Sequence, residues 1–274
     1  SDPNAEIWPV TGEESEWNLI TAMADDAIDW MTRIHQTNPD QPIFVNYVPG
    51  SSHAPHHPTK EWVDKISAMH LFDDGYEKLR ERIFENQKRL GVIPQDSQLT
   101  PWPDKVLKPW DKLTAEEKKL FTRQVEVFAA YAAYNDHEIG RVIQAFEDIG
   151  KLDNTLVIYI NGDNGTSAEG GPLGTPNEVA FFNGINKMPA KTQLKWYDVW
   201  GTEETYNHMS AGWSWAWATA APTSRLASAH RVGKLAMVLR TNCRFIALEL
   251  LFDYRGEQIE PEQVGNGDHK NQRV

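Results

Sequence analysis

Thr155-Leu156-Val157-Ile158-Tyr159-Ile160 opens into Gly162-Asp163-Asn164-Gly165. A short, continuous apolar run rich in β-branched residues and bounded by turn signals reads as a buried strand. Lys151-Leu152-Asp153-Asn154 makes the turn that feeds it. Before that turn, Thr114-Ala115-Glu116-Glu117 has the spacing of a capping box. Apolar residues at helical steps then persist through Val127, Tyr131, Ile139 and Phe146 to Gly150, with a kink expected near Asn135-Asp136.

The same order of elements occurs earlier. Trp17, Ile20, Ala24, Ala27, Ile28, Met31 and Ile34 form one apolar stripe on a helix, and Asn38-Pro39-Asp40 ends it. On this helix Asp25-Asp26 reads as a solvated face rather than a metal pair. Ile43-Phe44-Val45-Asn46-Tyr47-Val48 follows as a second buried strand, ending at Pro49-Gly50. Ser51-Ser52-His53-Ala54-Pro55-His56-His57-Pro58 is too rich in Pro and His to continue it and becomes a loop. Helix, buried strand and loop, repeated, predict an α/β sandwich with a mostly parallel sheet, its active loops gathered at the strands' C-terminal edge. Asp73 to Leu90 reads as a charged helix, and Val92 to Asp111 as a Pro-rich cover held by Trp102 and Trp110. No repeat or linker divides the chain.

The 274 residues are 40% hydrophobic with eleven Trp, enough for one large domain. A net charge of −12 without a basic patch argues against nucleic acid as a partner. No stretch approaches the roughly 18 apolar residues of a membrane span, and Ser1-Asp2-Pro3 lacks the features of a signal peptide. A soluble protein is expected, with periplasm and cytoplasm both open, since the single Cys243 excludes an internal disulfide and nothing more.

Several residues could carry chemistry. Asp163 and Asn164 offer a carboxylate and an amide oxygen of the kind that Ca²⁺ or Mg²⁺ takes, or they satisfy backbone donors in a turn. His53 can hydrogen-bond an anionic ester or protonate a leaving group, with His56 and His57 as competitors for that role. Zinc is disfavoured, because no adjacent Cys and no helical His-x-x-x-His spacing supports it. Tyr206-Asn207-His208 precedes Trp213, Trp215 and Trp217, whose alternation fits a buried strand or a pocket wall. Arg225 and His230 supply a fixed cation and a titratable donor, each able to hold an oxyanion or simply to sit on the surface.

Taken together, these segments resemble the type I sulfatases, in particular the large bacterial arylsulfatase branch of the alkaline-phosphatase-like superfamily. The resemblance runs from Thr21-Ala22-Met23-Ala24-Asp25-Asp26-Ala27-Ile28 through the His53 loop, Lys88-Arg89-Leu90-Gly91-Val92-Ile93-Pro94, Arg123-Gln124-Val125-Glu126-Val127-Phe128 and Asp136-His137-Glu138-Ile139-Gly140-Arg141 to Tyr206-Asn207-His208. It implies a partial alkaline-phosphatase-like α/β/α sandwich that hydrolyses small-molecule sulfate esters. In that family, formylglycine made from a Cys/Ser-x-Pro-x-Arg motif attacks sulfur while a divalent cation, commonly Ca²⁺, neutralises the sulfate. The resemblance implies Asp163 and Asn164 as metal ligands, His53 as a sulfate or leaving-group contact, and Arg225 and His230 at the positions of the family's later Lys and His. Arginine at the lysine position keeps the charge without the compact ammonium.

No Cys/Ser-x-Pro-x-Arg occurs here, and Asn242-Cys243-Arg244-Phe245-Ile246 does not supply one. The resemblance therefore implies a catalytic domain over residues 1–234, incomplete on its N-terminal side and inactive by itself, followed by a divergent tail over 235–274. A phosphonate or phosphate monoester hydrolase and a non-catalytic remnant are the alternatives.

Overall fold

A computed structural model describes residues 17–91, 93–161, 167, 169–185 and 188–217, and the backbone of strands 227–232 and 235–241; for residue 161 too, only the backbone is described. In chain order the regular elements are α1 (Leu19–Thr37), β1 (Phe44–Tyr47), α2 (Lys60–Ser67), α3 (Tyr76–Arg89), α4 (Ala115–Asp148), β2 (Thr155–Asn161), α5 (Glu178–Phe182), α6 (Ala190–Gln193), α7 (Ala211–Trp217), β3 (Ala227–Val232) and β4 (Leu235–Thr241).

The strands form one sheet in the order β1-β4-β2-β3. β4 pairs parallel with β1 and with β2, and β3 closes the edge antiparallel to β2. In register, Val45 lies opposite Met237, and Met237 opposite Val157. β1 and β2 therefore run in the same direction, and the loops leaving Tyr47 and Asn161 emerge at one edge. The first seven residues after the 234/235 boundary are the strand between β1 and β2, and residues 242–274 lie outside the described residues.

α4 organises the core. Its capping box forms as expected: Glu117 N–H donates to Thr114 Oγ1 at 3.2 Å and Thr114 N–H donates to Glu117 Oε2 at 2.7 Å. The helix runs 34 residues without a break at Asn135-Asp136, so the expected kink does not interrupt it. At ~1.5 Å per residue it is about 50 Å long, enough to span two apolar clusters. Its first half packs with α2, α3 and α7 around Leu120, Phe121, Phe128, Trp200 and Trp213. Its second half places Ile139, Val142 and Phe146 with Ala24 and Met31 of α1 against Val45 and Tyr47 of β1. Burying each of the Ile, Val, Phe and Met side chains among them is worth about 1.5–3 kcal/mol.

Three local expectations change. β1 is covered on one face: Val45 and Tyr47 point at α1 and α4, whereas Phe44 is 62% exposed. Alternation, not a continuous run, is what a strand with a single helical layer requires. Second, α1 begins after Asn18, whose side chain accepts from Ile20 N–H at 3.0 Å, so Trp17 lies outside the helical stripe. Third, the alternating tryptophans lie on a helix: Trp213 and Trp217, four residues apart, are buried on one face of α7, and Trp215 is turned outward.

Candidate functional site

Two segments come together near the edge where β1 and β2 open into loops. Residues 51–58 leave β1, and residues 169–178 cross residues 205–210 through backbone pairs Thr175–His208 and Asn177–Tyr206. Gln124 of α4, fully buried, holds the second set in place. Its Nε2 donates to Leu173 O at 3.0 Å, and its Oε1 accepts from Ser210 N–H at 3.0 Å. His57 Nε2–H donates to Thr205 O at 2.7 Å, joining the β1 loop to residues 205–210. Asn207, its amide oriented to suit its neighbours, donates to His56 O at 3.0 Å and accepts from Trp200 Nε1–H at 3.2 Å.

His56 is at the centre of this junction. It is 1% exposed, its ring packs edge-on to Phe128 at 4.9 Å, and it lies 5.2 Å from the ring of His208. Neither ring nitrogen makes a well-formed hydrogen bond, although the Ser52 backbone acts on the ring from nearby. Burial first, then the neighbouring histidines 208, 57 and 53, hold its pKa well below the ordinary histidine value, and the Ser52 backbone opposes them only in part. The ring is therefore neutral, with one N–H donor and one bare nitrogen. Buried polar atoms without partners are rare and expensive in folded proteins, and they concentrate where a ligand or water completes them.

His208 is 2% exposed and fully engaged. Its Nδ1–H donates to Met209 O at 3.0 Å, and its Nε2 lies 3.0 Å from Ser167 Oγ. Gly170 packs so tightly here that a Cβ would come within 2.1 Å of Met209 O.

The candidates named from sequence fall in different places. His53 belongs to this loop but is exposed, its Nδ1–H turned back onto Ala54 O at 2.7 Å. Asp163, Asn164, Arg225 and Cys243 lie outside the described residues. His230 is in β3 at the register of Val157, four residues back from Asn161. At ~3.3 Å per residue that puts its backbone ~13 Å from the edge where β2 ends. Asp25 is exposed, as expected for a solvated face, and accepts from Arg141 Nη2 at 2.6 Å. Among the described residues no group of three or more His, Cys, Asp or Glu is placed to hold a metal ion, and the ring nitrogens of His56 are poor donors for a hard cation.

Sequence reading left His56 as one of three competing histidines and missed Ser167 altogether. His56 carries a local signal, its place in Ala54-Pro55-His56 at the close of the strand-to-loop turn, but burial selects it. Ser167 carries none, because its partner is 41 residues away.

The geometry defines a class: an α/β domain whose titratable side chains gather where parallel strands end. The family follows from comparison with known proteins. The sulfatase family model matches residues 5–207, most of the chain, and the protein belongs to that family, the type I sulfatases of the alkaline-phosphatase-like superfamily. It is 37% identical over 161 residues, 56% of this chain, to an uncharacterized sulfatase of Schizosaccharomyces pombe, and covers 28% of that protein. It is 28% identical over 138 residues, 50% of this chain, to an arylsulfatase of Klebsiella aerogenes, and covers 29% of it. The chain thus spans under a third of the length of each. Among the described residues no helix is long and apolar enough to cross a membrane.

Proposed function

We propose that this chain supplies the sulfate-binding edge of a sulfuric ester hydrolase acting on small-molecule sulfate esters. The observation that carries the reading is His56, a buried neutral imidazole, neither nitrogen in a well-formed hydrogen bond, at the sheet edge of a sulfatase-family domain. Its N–H is suited to donate to a sulfate or leaving-group oxygen, and neutrality lets the ring keep a donor without a buried charge. Burial favours His56 over His53 for this contact. Asp163 and Asn164, with Ca²⁺ or Mg²⁺, would offset the charge of the sulfate, and Arg225 is a further candidate for an oxyanion contact, whereas the register of His230, about 13 Å back from the edge, disfavours it. The cation would supply Lewis-acid polarisation of the ester.

Residues 1–274 contain no Cys/Ser-x-Pro-x-Arg motif, so these residues alone bind the ester without turning it over. Binding is therefore the property to measure. In the full chain, 4-nitrophenyl sulfate with Ca²⁺ should raise the unfolding temperature. At one hundred times Kd the stabilisation is about 2.7 kcal/mol. Asp163→Ala should remove the calcium dependence and His56→Leu the response to the ester. Stronger stabilisation by 4-nitrophenyl phosphate would reassign the site to phosphate esters. No metal-dependent response to either ester would leave a non-catalytic domain.

A further inference from the structure

The contact between Ser167 and His208 lies outside the sulfate reading and has its own chemistry. Ser167 is exposed while its partner imidazole is 2% exposed, so a surface hydroxyl is tied to a base held inside the protein. The backbone selects the tautomer: with His208 Nδ1–H donating to Met209 O at 3.0 Å, Nε2 is the ring nitrogen that can accept from Ser167 Oγ–H, 3.0 Å away. The base is held on two further sides. The His56 ring packs 5.2 Å away, and Gly170 leaves no room for a Cβ, which would lie 2.8 Å from His208 Nδ1. The nucleophile's backbone is anchored as well, since Ser214 Oγ–H donates to Ser167 O at 2.8 Å. Glu169 N–H donates to Ser167 Oγ at 3.4 Å and helps to orient the hydroxyl.

A hydroxyl, a base within hydrogen-bond reach and a third group orienting that base are the parts of an activated serine. The geometry points to Ser167 and His208 as a nucleophile and general base that hydrolyse small, activated carboxylic esters, in a reaction separate from sulfate binding. The Ser167 O–H bond breaks, its proton passes to His208 Nε2, and Oγ bonds to the acyl carbon. The ester C–O bond then breaks and the leaving oxygen takes the proton from His208. Water reverses the sequence, giving its proton to His208 and its oxygen to the acyl group, and Ser167 is restored. The backbone carbonyl of Met209 orients the imidazole but carries no full charge, so slow turnover and a clear acylation burst are expected.

The full chain is treated in EDTA with diisopropyl fluorophosphate, which loses fluoride when a serine oxygen bonds to phosphorus, and separately with 4-nitrophenyl acetate. The expected result is a single phosphoryl adduct on Ser167, a nitrophenol burst, and neither in Ser167→Ala, whose side chain is exposed and tolerant of change. His208→Gln should slow labelling at least ~10-fold, below the ~10²–10⁴ typical of a positioned general base. No adduct, adducts spread over several serines, or labelling that persists in Ser167→Ala would overturn the assignment. The wild type and Ser167→Ala decide this without the His208 variant. Because the probes contain no sulfate and the buffer no free metal, failure here leaves the sulfate reading untouched, and the reverse also holds.

Discussion

Replacing His56 by leucine should make the protein more stable. The ring has two buried nitrogens without a well-formed hydrogen bond. Relieving an orphaned buried polar group is worth about 1–3 kcal/mol. Against this, the edge contact with Phe128 is lost, costing about 0.5–1.5 kcal/mol, and the aliphatic side chain repacks imperfectly at a cost of about 1 kcal/mol. Two such atoms give about 2–6 kcal/mol of relief, so the net gain is centred on ~2 kcal/mol at neutral pH, or about 4–8 °C in unfolding temperature for a chain of this size. The gain should grow in acid. A histidine whose folded pKa lies well below the ordinary 6.5 binds fewer protons folded than unfolded, so wild-type stability falls as pH drops through that value. At pH 5 the leucine variant, which has no such proton to bind, should lead by about 2 kcal/mol more than at pH 7.5. Urea unfolding at the two pH values, with unchanged m-values as a check on two-state behaviour, measures both effects. A variant less stable than wild type at both pH values would refute the reasoning, because it would mean that the ring nitrogens are satisfied in solution.

Burial pushes the Asp136 carboxyl up to about 6, so the folded state binds more protons than the unfolded state between pH 4 and 6, and stability falls as pH rises through that window. Asp136→Asn should remove this slope, worth up to ~3 kcal/mol, and a pH series of urea midpoints checks it. Gly170→Ala would drive a Cβ into Met209 O and His208, and should cost about 1–3 kcal/mol by thermal unfolding; a neutral outcome would show that this junction is loosely packed. Thr114→Ala removes the cap of α4 and should cost about 1 kcal/mol. Glu117 adds an acid sensitivity at the same end. Burial pushes its pKa up, but hydrogen bonds from Lys108 and Thr114 outweigh it and hold the pKa below the ordinary value, so that contribution is present at neutral pH and lost as pH falls.

By itself the sequence determined the elements whose information is local. The α4 cap was legible because Thr114 and Glu117 are three residues apart, and the α1 stripe because one face repeats every three to four residues. β1 and β2 were legible as short apolar runs between turns. The alternating tryptophans were not legible in this way: their spacing suggested a strand or a pocket wall, but they lie on α7, where residues four apart share a face.

What only the tertiary structure decided rests on contacts between distant residues. β4, which resembled nothing recognisable in sequence, pairs between β1 and β2, because strand order is set by hydrogen bonding across the sheet. Among three adjacent histidines with equal chemistry, burial under Phe128 and His208 singled out His56, and exposure set His53 aside. Ser167 met its base across 41 residues of chain. Local propensity is written in neighbouring residues, but burial and the pairing of a hydroxyl with an imidazole exist only once the chain has folded back on itself.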